Sequence, residues 1–126
     1  MSPAQLLVAV VDDEDSIRKA LQRLLRSAGM AVVAFSTGTA FLEALPACKP
    51  DCLVLDLHMP LMTGFDVQAK LAQAGAHLPV VIITGHDTPE SRARAIAGGA
   101  NAYLLKPIDD LLLIESITEA VAAQMH

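Results

Sequence analysis

The 126-residue chain has no tryptophan, one tyrosine and three phenylalanines. With aromatics at 3% of residues, aliphatic side chains must fill any core, and a hydrophobic fraction of 53% supplies them. Cysteine is equally scarce. Cys48 and Cys52 lie close together with no matching pair elsewhere, which argues against a zinc site or a disulfide framework. Cys52 is expected in a strand core and Cys48 in a loop. The histidines at 58, 77, 86 and 126 show no helical ligand spacing, and each has a plain reading as a loop or terminal residue. No apolar run approaches the roughly 20 residues that span a bilayer, and no basic segment precedes a signal-like stretch at the amino terminus. The expectation is a cytoplasmic protein without a membrane partner. Positive charge is also in deficit, with 9 Lys and Arg against 14 Asp and Glu for a net charge of −5. That balance leaves no basic footprint for a nucleic acid. Repeats, linkers and low-complexity tracts are absent, and the length predicts a single domain over 1–126.

Four apolar runs, at 6–11, 52–55, 80–83 and 102–105, are rich in Val, Ile and Leu without polar alternation. Strands buried on both faces of a parallel sheet have this pattern. Amphipathic stretches of helical length separate them, which predicts an α/β fold of right-handed βαβ units in one open sheet. In the first such stretch Ile17, Ala20, Leu21, Leu24, Leu25 and Ala28 recur at helical spacing. Residues 13–16 offer its N-cap candidates and Gly29 its stop. Arg18, Lys19, Arg23 and Arg26 read as a solvated outer face. Residues 31–34 form a short run suited to an edge strand. A short helix over 39–45 is expected to close before Pro46, because proline disfavours helix at the residue preceding it. Helical periodicity resumes over 65–73. Thr88 followed by Pro89 predicts an N-cap and first helical position, with Gly98-Gly99 as the stop. A last helix over 109–123 is expected to turn Leu112, Leu113, Ile117, Ala120 and Val121 inward.

Each of the four runs is followed by a chemically useful residue: Asp12-Asp13, Asp56, Thr84 and Lys106. Ligands of open parallel sheets bind outside the carboxyl ends of the strands, so these groups are expected at one edge. Three carboxylates crowded there repel one another unless a cation neutralises them. All-oxygen ligands in a shallow site favour Mg²⁺ that keeps several waters, over a closed Ca²⁺ or Zn²⁺ cage. Lys106 would be a second, mobile cation suited to a phosphoryl oxygen or a carboxylate. A carboxylate flanked by metal and lysine can attack phosphorus to give an acyl phosphate. Asp56 stands alone at its strand end and is the nucleophile candidate, whereas Asp12 and Asp13 are paired in the manner of metal ligands. Thr84 offers a hydroxyl to the new phosphoryl group. Each residue also has a plain structural alternative: Asp13 as a helix cap, Thr84 as an ordinary strand end, Lys106-Pro107 as a turn. Only their joint placement favours chemistry.

With Val10-Val11-Asp12-Asp13-Glu14, Val54-Leu55-Asp56-Leu57-His58-Met59-Pro60 plus Gly64, Ile83-Thr84-Gly85-His86 and Tyr103-Leu104-Leu105-Lys106-Pro107, the chain resembles a family. It is similar over its whole length to the receiver domains of bacterial two-component response regulators, of the FixJ-like kind. The resemblance implies a flavodoxin-like (βα)5 doubly wound parallel sheet of strand order 2-1-3-4-5, an order for which this family is itself an illustration. It implies that Asp12 and Asp13 hold Mg²⁺, that Asp56 is phosphorylated by a sensor histidine kinase, and that His58 gives its backbone carbonyl to the metal. It further implies that Thr84 and Lys106 contact the phosphoryl group, that the Lys106-Pro107 bond is cis, and that Tyr103 swings inward as Thr84 moves. The surface of the fourth helix, fifth strand and fifth helix would then change, and FixJ-like receivers dimerise there. In such domains the side chains at His58 and His86 tune acyl phosphate lifetime, either by orienting water or by shielding the group.

Three other functions fit the sequence less well. A phosphohydrolase with an aspartyl intermediate usually has a second carboxylate two residues after the nucleophile, where this chain has His58. A phosphorylation-independent interaction module would not need the complete set of acidic pair, acceptor, threonine and lysine. A flavin site would need a Ser/Thr/Gly-rich phosphate loop after the first strand, and none is there. The chain is expected to be either a free-standing receiver or the amino-terminal piece of a larger regulator.

Overall fold

The computed structural model describes residues 5–124, so His126 lies outside the described residues. Strands β1 (Leu7–Val11), β2 (Ala31–Phe35), β3 (Cys52–Asp56), β4 (Val80–Thr84) and β5 (Ala102–Leu105) alternate with helices α1 (Asp15–Ser27), α2 (Gly38–Cys48), α3 (Gly64–Gln73), α4 (Pro89–Ala97) and α5 (Asp110–Gln124). The strands form one parallel sheet in the order β2-β1-β3-β4-β5. This is the (βα)5 arrangement the resemblance implies.

Because successive strand residues point to opposite faces, the aliphatic runs supply two cores at once. Val8, Val10, Val54, Val81 and Ile83 pack with Leu21 and Leu25 of α1 and Leu113 and Ile117 of α5. On the other face Ala9, Val11, Leu53, Leu55 and Ile82 pack with Phe41 of α2, Val67 and Leu71 of α3, and Ala95 of α4. The central strands β3 and β4 are buried along their whole length, so the absence of alternation in their sequence has a direct cause.

Local chemistry fixes where the helices start. Thr37, Thr63 and Thr88 each accept a bond from the backbone N–H three residues on, and Pro89 sits at the first turn of α4. Thr63 and Asp66 complete a reciprocal capping box, and the bonds from the Thr63 backbone and side chain hold the Asp66 carboxyl below its ordinary range. Asp109 accepts from Leu112 N–H at the start of α5.

Several expectations are corrected. Helix α2 continues through Pro46 to Cys48. Proline loses the bond to the carbonyl four residues earlier and crowds that carbonyl, but this one lies in the last turn, where Lys49 in the left-handed conformation closes the helix by donating to the Leu45 carbonyl. Cys48 is therefore helical and not in a loop. Leu112 is 47% exposed, because the buried face of α5 runs through Leu113, Ser116, Ile117 and Ala120 and Leu112 falls off it. Strand β5 is a sheet edge, so Leu105 is 48% exposed and that run is not buried on both faces. Arg18 is not merely solvated: it donates to the Asp12 carbonyl at 2.8 Å and to Asp15 at 3.0 Å.

The loop leaving β3 depends on one glycine. A Cβ on Gly64 would lie 2.5 Å from the Asp56 carbonyl oxygen and 2.8 Å from Leu57 Cα, both backbone atoms that cannot step aside. At Gly38 the nearest atoms are side-chain ones, Val67 Cγ2 at 2.6 Å and Met62 Sδ at 2.9 Å, which can shift more readily than backbone. Gly64→Ala is expected to destabilise the fold by about 2 kcal/mol or more and Gly38→Ala by less, as read from urea unfolding midpoints. Equal losses at the two positions would refute the backbone argument.

Candidate functional site

Register brings the strand ends together. Val11 pairs with Leu55, Asp56 with Ile83, and Thr84 with Leu105, so Asp12, Asp56, Thr84 and Lys106 leave four adjacent strands at the same edge. Strand order reverses direction about β1, which is where open α/β sheets leave a crevice. Asp56 and Thr84 are the last residues of their strands, held by the ladder itself.

The site is built around buried charge. Asp12 is fully buried and Asp56 is 2% exposed, while Asp13 is exposed at the rim. Lys106 reaches across from β5, its ammonium 2.8 Å from Asp12 Oδ2, 3.3 Å from Glu14 Oε1 and 3.6 Å from Asp56 Oδ1. Burial works against the lysine's charge, but its contacts with Asp12, Asp56 and Glu14 outweigh it and hold the ammonium above its ordinary pKa. For Asp56 the balance goes the other way. Burial, reinforced by the charge of Asp12, pushes its carboxyl up to about 7 although Lys106 opposes the shift.

One oxygen from each of Asp12, Asp13 and Asp56 falls within 4.8 Å of the others. Octahedral Mg²⁺, with oxygens about 2.1 Å from the ion, needs a cluster of about this size. Asp12 Oδ2 is buried, and the Lys106 ammonium stands against it at 2.8 Å. Such an atom is suited to a cation. The residues therefore fit a hard divalent ion.

Helix α1 has Glu14 at its N-cap position and no side-chain cap bond, so Asp13 is not a cap. Asp12 Oδ1 instead accepts from Glu14 N–H at 2.8 Å, which fixes its carboxylate toward the cleft. Thr84 is more than a strand end, since its Oγ1 accepts from His86 N–H at 3.1 Å and donates to the His86 carbonyl at 3.3 Å. The Lys106–Pro107 peptide bond is cis. Tyr103 is turned into the core at 7% exposure. His58 Nε2 lies 3.2 Å from the His86 carbonyl, linking the loops after β3 and β4, and the two rings meet edge to face. Sequence reasoning missed this link, and it also missed Glu14 as a partner of Lys106. The acidic run at 12–15 was the available signal for Glu14.

Residues 8–118 match the response regulator receiver domain family. The chain is 37% identical to the response regulator protein TmoT of Ectopseudomonas mendocina, over 96% of this chain and 55% of that protein. It is 36% identical to the transcriptional regulatory protein FixJ of Azorhizobium caulinodans, over 91% of this chain and 54% of that protein. The crystal structure of FixJ-N superposes with a TM-score of 0.88 at 33% identity, covering 95% of this chain and 96% of that one. The chain belongs to the response regulator receiver domains, the phosphorylation-switched signalling modules of two-component systems. It spans about half the length of the curated relatives TmoT and FixJ.

The Asp56 shift carries a prediction for metal-free protein. Its pKa is raised on folding, so its contribution to stability is fully present below 3.8 and is lost as pH rises through about 7. Asp56→Asn is expected to be more stable than wild type at neutral pH by on the order of 1–3 kcal/mol, the difference shrinking toward roughly pH 4. Urea unfolding in a chelator across that range checks it, and parallel pH profiles for the two proteins would count against a buried, strained charge.

Proposed function

We propose that residues 1–126 act as one receiver domain that takes a phosphoryl group from the phosphohistidine of a sensor histidine kinase onto Asp56. The observation that carries this reading is the buried Asp12, Asp56 and Lys106 constellation at the crevice. An Asp56 carboxylate oxygen attacks phosphorus, the bond from phosphorus to the imidazole nitrogen breaks, and an acyl phosphate forms as the donor histidine leaves. Asp12, Asp13, Asp56 and the His58 backbone carbonyl would hold Mg²⁺, which supplies charge neutralisation on the phosphoryl oxygens. Lys106, already drawn between Asp12 and Asp56, is positioned to follow that charge onto the new group. The domain thus promotes its own phosphorylation and dephosphorylation without turning over a free substrate. His58 and His86, joined across the cleft mouth, tune the lifetime of the acyl phosphate.

The modification adds about −1.5 to −2 charge and three strong acceptors. Thr84 turns its hydroxyl from the His86 carbonyl to a phosphoryl oxygen, and the loop after β4 follows. Output passes through the α4, β5 and α5 surface, with Tyr103 held inward as that surface changes. Ile96, Leu105, Leu111 and Leu112 are large, exposed and apolar on those three elements, which suits a face that pairs with a second copy. The relatives' names add a transcriptional output for a longer regulator containing this domain. Among the described residues no helix is long and apolar enough to cross a membrane. With an acidic surface and no basic footprint, the domain is assigned to the cytoplasm, without direct contact to nucleic acid or membrane.

Asp56→Asn is expected to abolish phosphoryl uptake from a phosphorylated histidine kinase, and a chelator to do the same to wild type. Both are read by radiolabel transfer, and label persisting in the variant would move the acceptor elsewhere. Thr84→Ala is expected to take label yet fail to dimerise on phosphorylation. Sizing by light scattering checks this, and a phosphorylation-driven dimer in that variant would remove Thr84 from the switch.

A further inference from the structure

Among the described residues five polar side chains are buried, and three of them, Asp12, Asp56 and Thr84, belong to the crevice. Gln68 of α3 does not. The residue is 5% exposed, and its Nε2 donates at 2.9 Å to the carbonyl of Ala95, which lies 27 residues away in α4. A carbonyl only accepts, so the nitrogen end of the amide faces it. Ala95 is also the one buried residue of α4. The bond thus falls where that helix enters the core, in its last turn, and the Ala100 N–H closes on the same carbonyl at 3.1 Å.

Two glycines follow α4, and they are glycines for different reasons. Gly99, at φ +102, has a backbone that residues with a Cβ rarely adopt. Gly98, at φ −77 and ψ 0, has one open to other residues. What a side chain at 98 would meet is the Gln68 amide, since a Cβ there would lie 2.9 Å from its Oε1 and 3.0 Å from both Cδ and Nε2. The amide therefore lies across Gly98. It could step aside only by leaving the Ala95 carbonyl. The Arg94 guanidinium covers the Phe65 ring, its carbon 4.2 Å from the centroid, and so makes a second tie between α3 and the same end of α4.

We propose that Gln68 is a positioning residue that latches the C-terminal end of α4 onto α3, with Gly98 as the seat of its amide, and thereby fixes where the α4 side of the output surface stands. A nine-residue helix held at one end can turn about that end but cannot slide along α3. The role in output rests on the proposed switch, whereas the latch itself does not.

Gln68→Met keeps the volume and removes the donor, and Gly98→Ala drives the amide off its seat. The N–H groups of Gly99 and Ala100 bond back to the carbonyls of Ile96 and Ala95, so their hydrogen exchange reports closure of this end of α4. In the unmodified full chain each variant is expected to lower protection at these two groups about three- to tenfold, with protection in α1 unchanged. In a Gln68→Ala background, where no amide is left to displace, adding Gly98→Ala is expected to change protection by less than about twofold. Unchanged protection in Gln68→Met, or an equal loss from Gly98→Ala with and without the amide, overturns the latch. After treatment with Mg²⁺ and a small acyl phosphate donor, Gln68→Met is expected to take label at Asp56 as wild type does and to dimerise about fivefold or more weakly by light scattering. A labelled variant that dimerises like wild type would refute the role in output. A wild-type protein that takes no label would refute the phosphoacceptor reading, and the exchange comparison would still decide the latch.

Discussion

Two carboxylates taken out of water at the ends of neighbouring strands set the terms for everything else in this domain. Asp12 and Asp56 are each almost wholly excluded from solvent, and an isolated buried carboxylate is costly enough to shift its pKa or demand a partner. Among the described residues the cation between them is the ammonium of Lys106, and it sits closer to Asp12 than to Asp56. One carboxylate is therefore well compensated and the other is not, which is why burial can raise the Asp56 carboxyl to about 7. The site keeps an unmet need for positive charge, which a divalent ion would meet.

That need explains the architecture around it. The parallel ladder fixes Asp56 beside Asp12 within one strand spacing, Gly64 lets the following loop turn back against the Asp56 backbone, and Arg18 ties α1 to the Asp12 carbonyl. A rigid edge of this kind holds charge without relaxing, so a change in charge is passed to whatever can move. The loop after β4 is held by the hydroxyl of Thr84, the His58 contact and the cap at Thr88. A local electrostatic event thus has a mechanical outlet toward α4 and β5, the pattern expected of a two-state switch.

Much of this was legible in the sequence, for identifiable reasons. The aliphatic runs of β3 and β4 have no polar alternation because both faces are covered, and Thr88 before Pro89 announces its helix. The chemically active set was legible because a parallel sheet brings its strand ends to one edge. Local rules failed where tertiary context outweighed them. Pro46 stays helical because the bond it lacks lies in a last turn closed by Lys49, and Leu112 faces solvent because Leu113, one residue on, claims the core. The outer face of α1 read as a solvated stripe, yet Arg18 leaves it to bind the turn after β1.

The sequence by itself determined the class of fold, the family and the identity of the groups at the site, because those depend on residue type, on periodicity and on which residue follows each strand. Only the tertiary structure decided how unequally the charge is shared. Whether Lys106 favours Asp12 or Asp56, whether Glu14 joins them, and whether Tyr103 lies inward under Arg92 depend on distances between residues far apart in the chain. Electrostatic energy in a desolvated cleft changes steeply with such distances, and no spacing along the sequence encodes them.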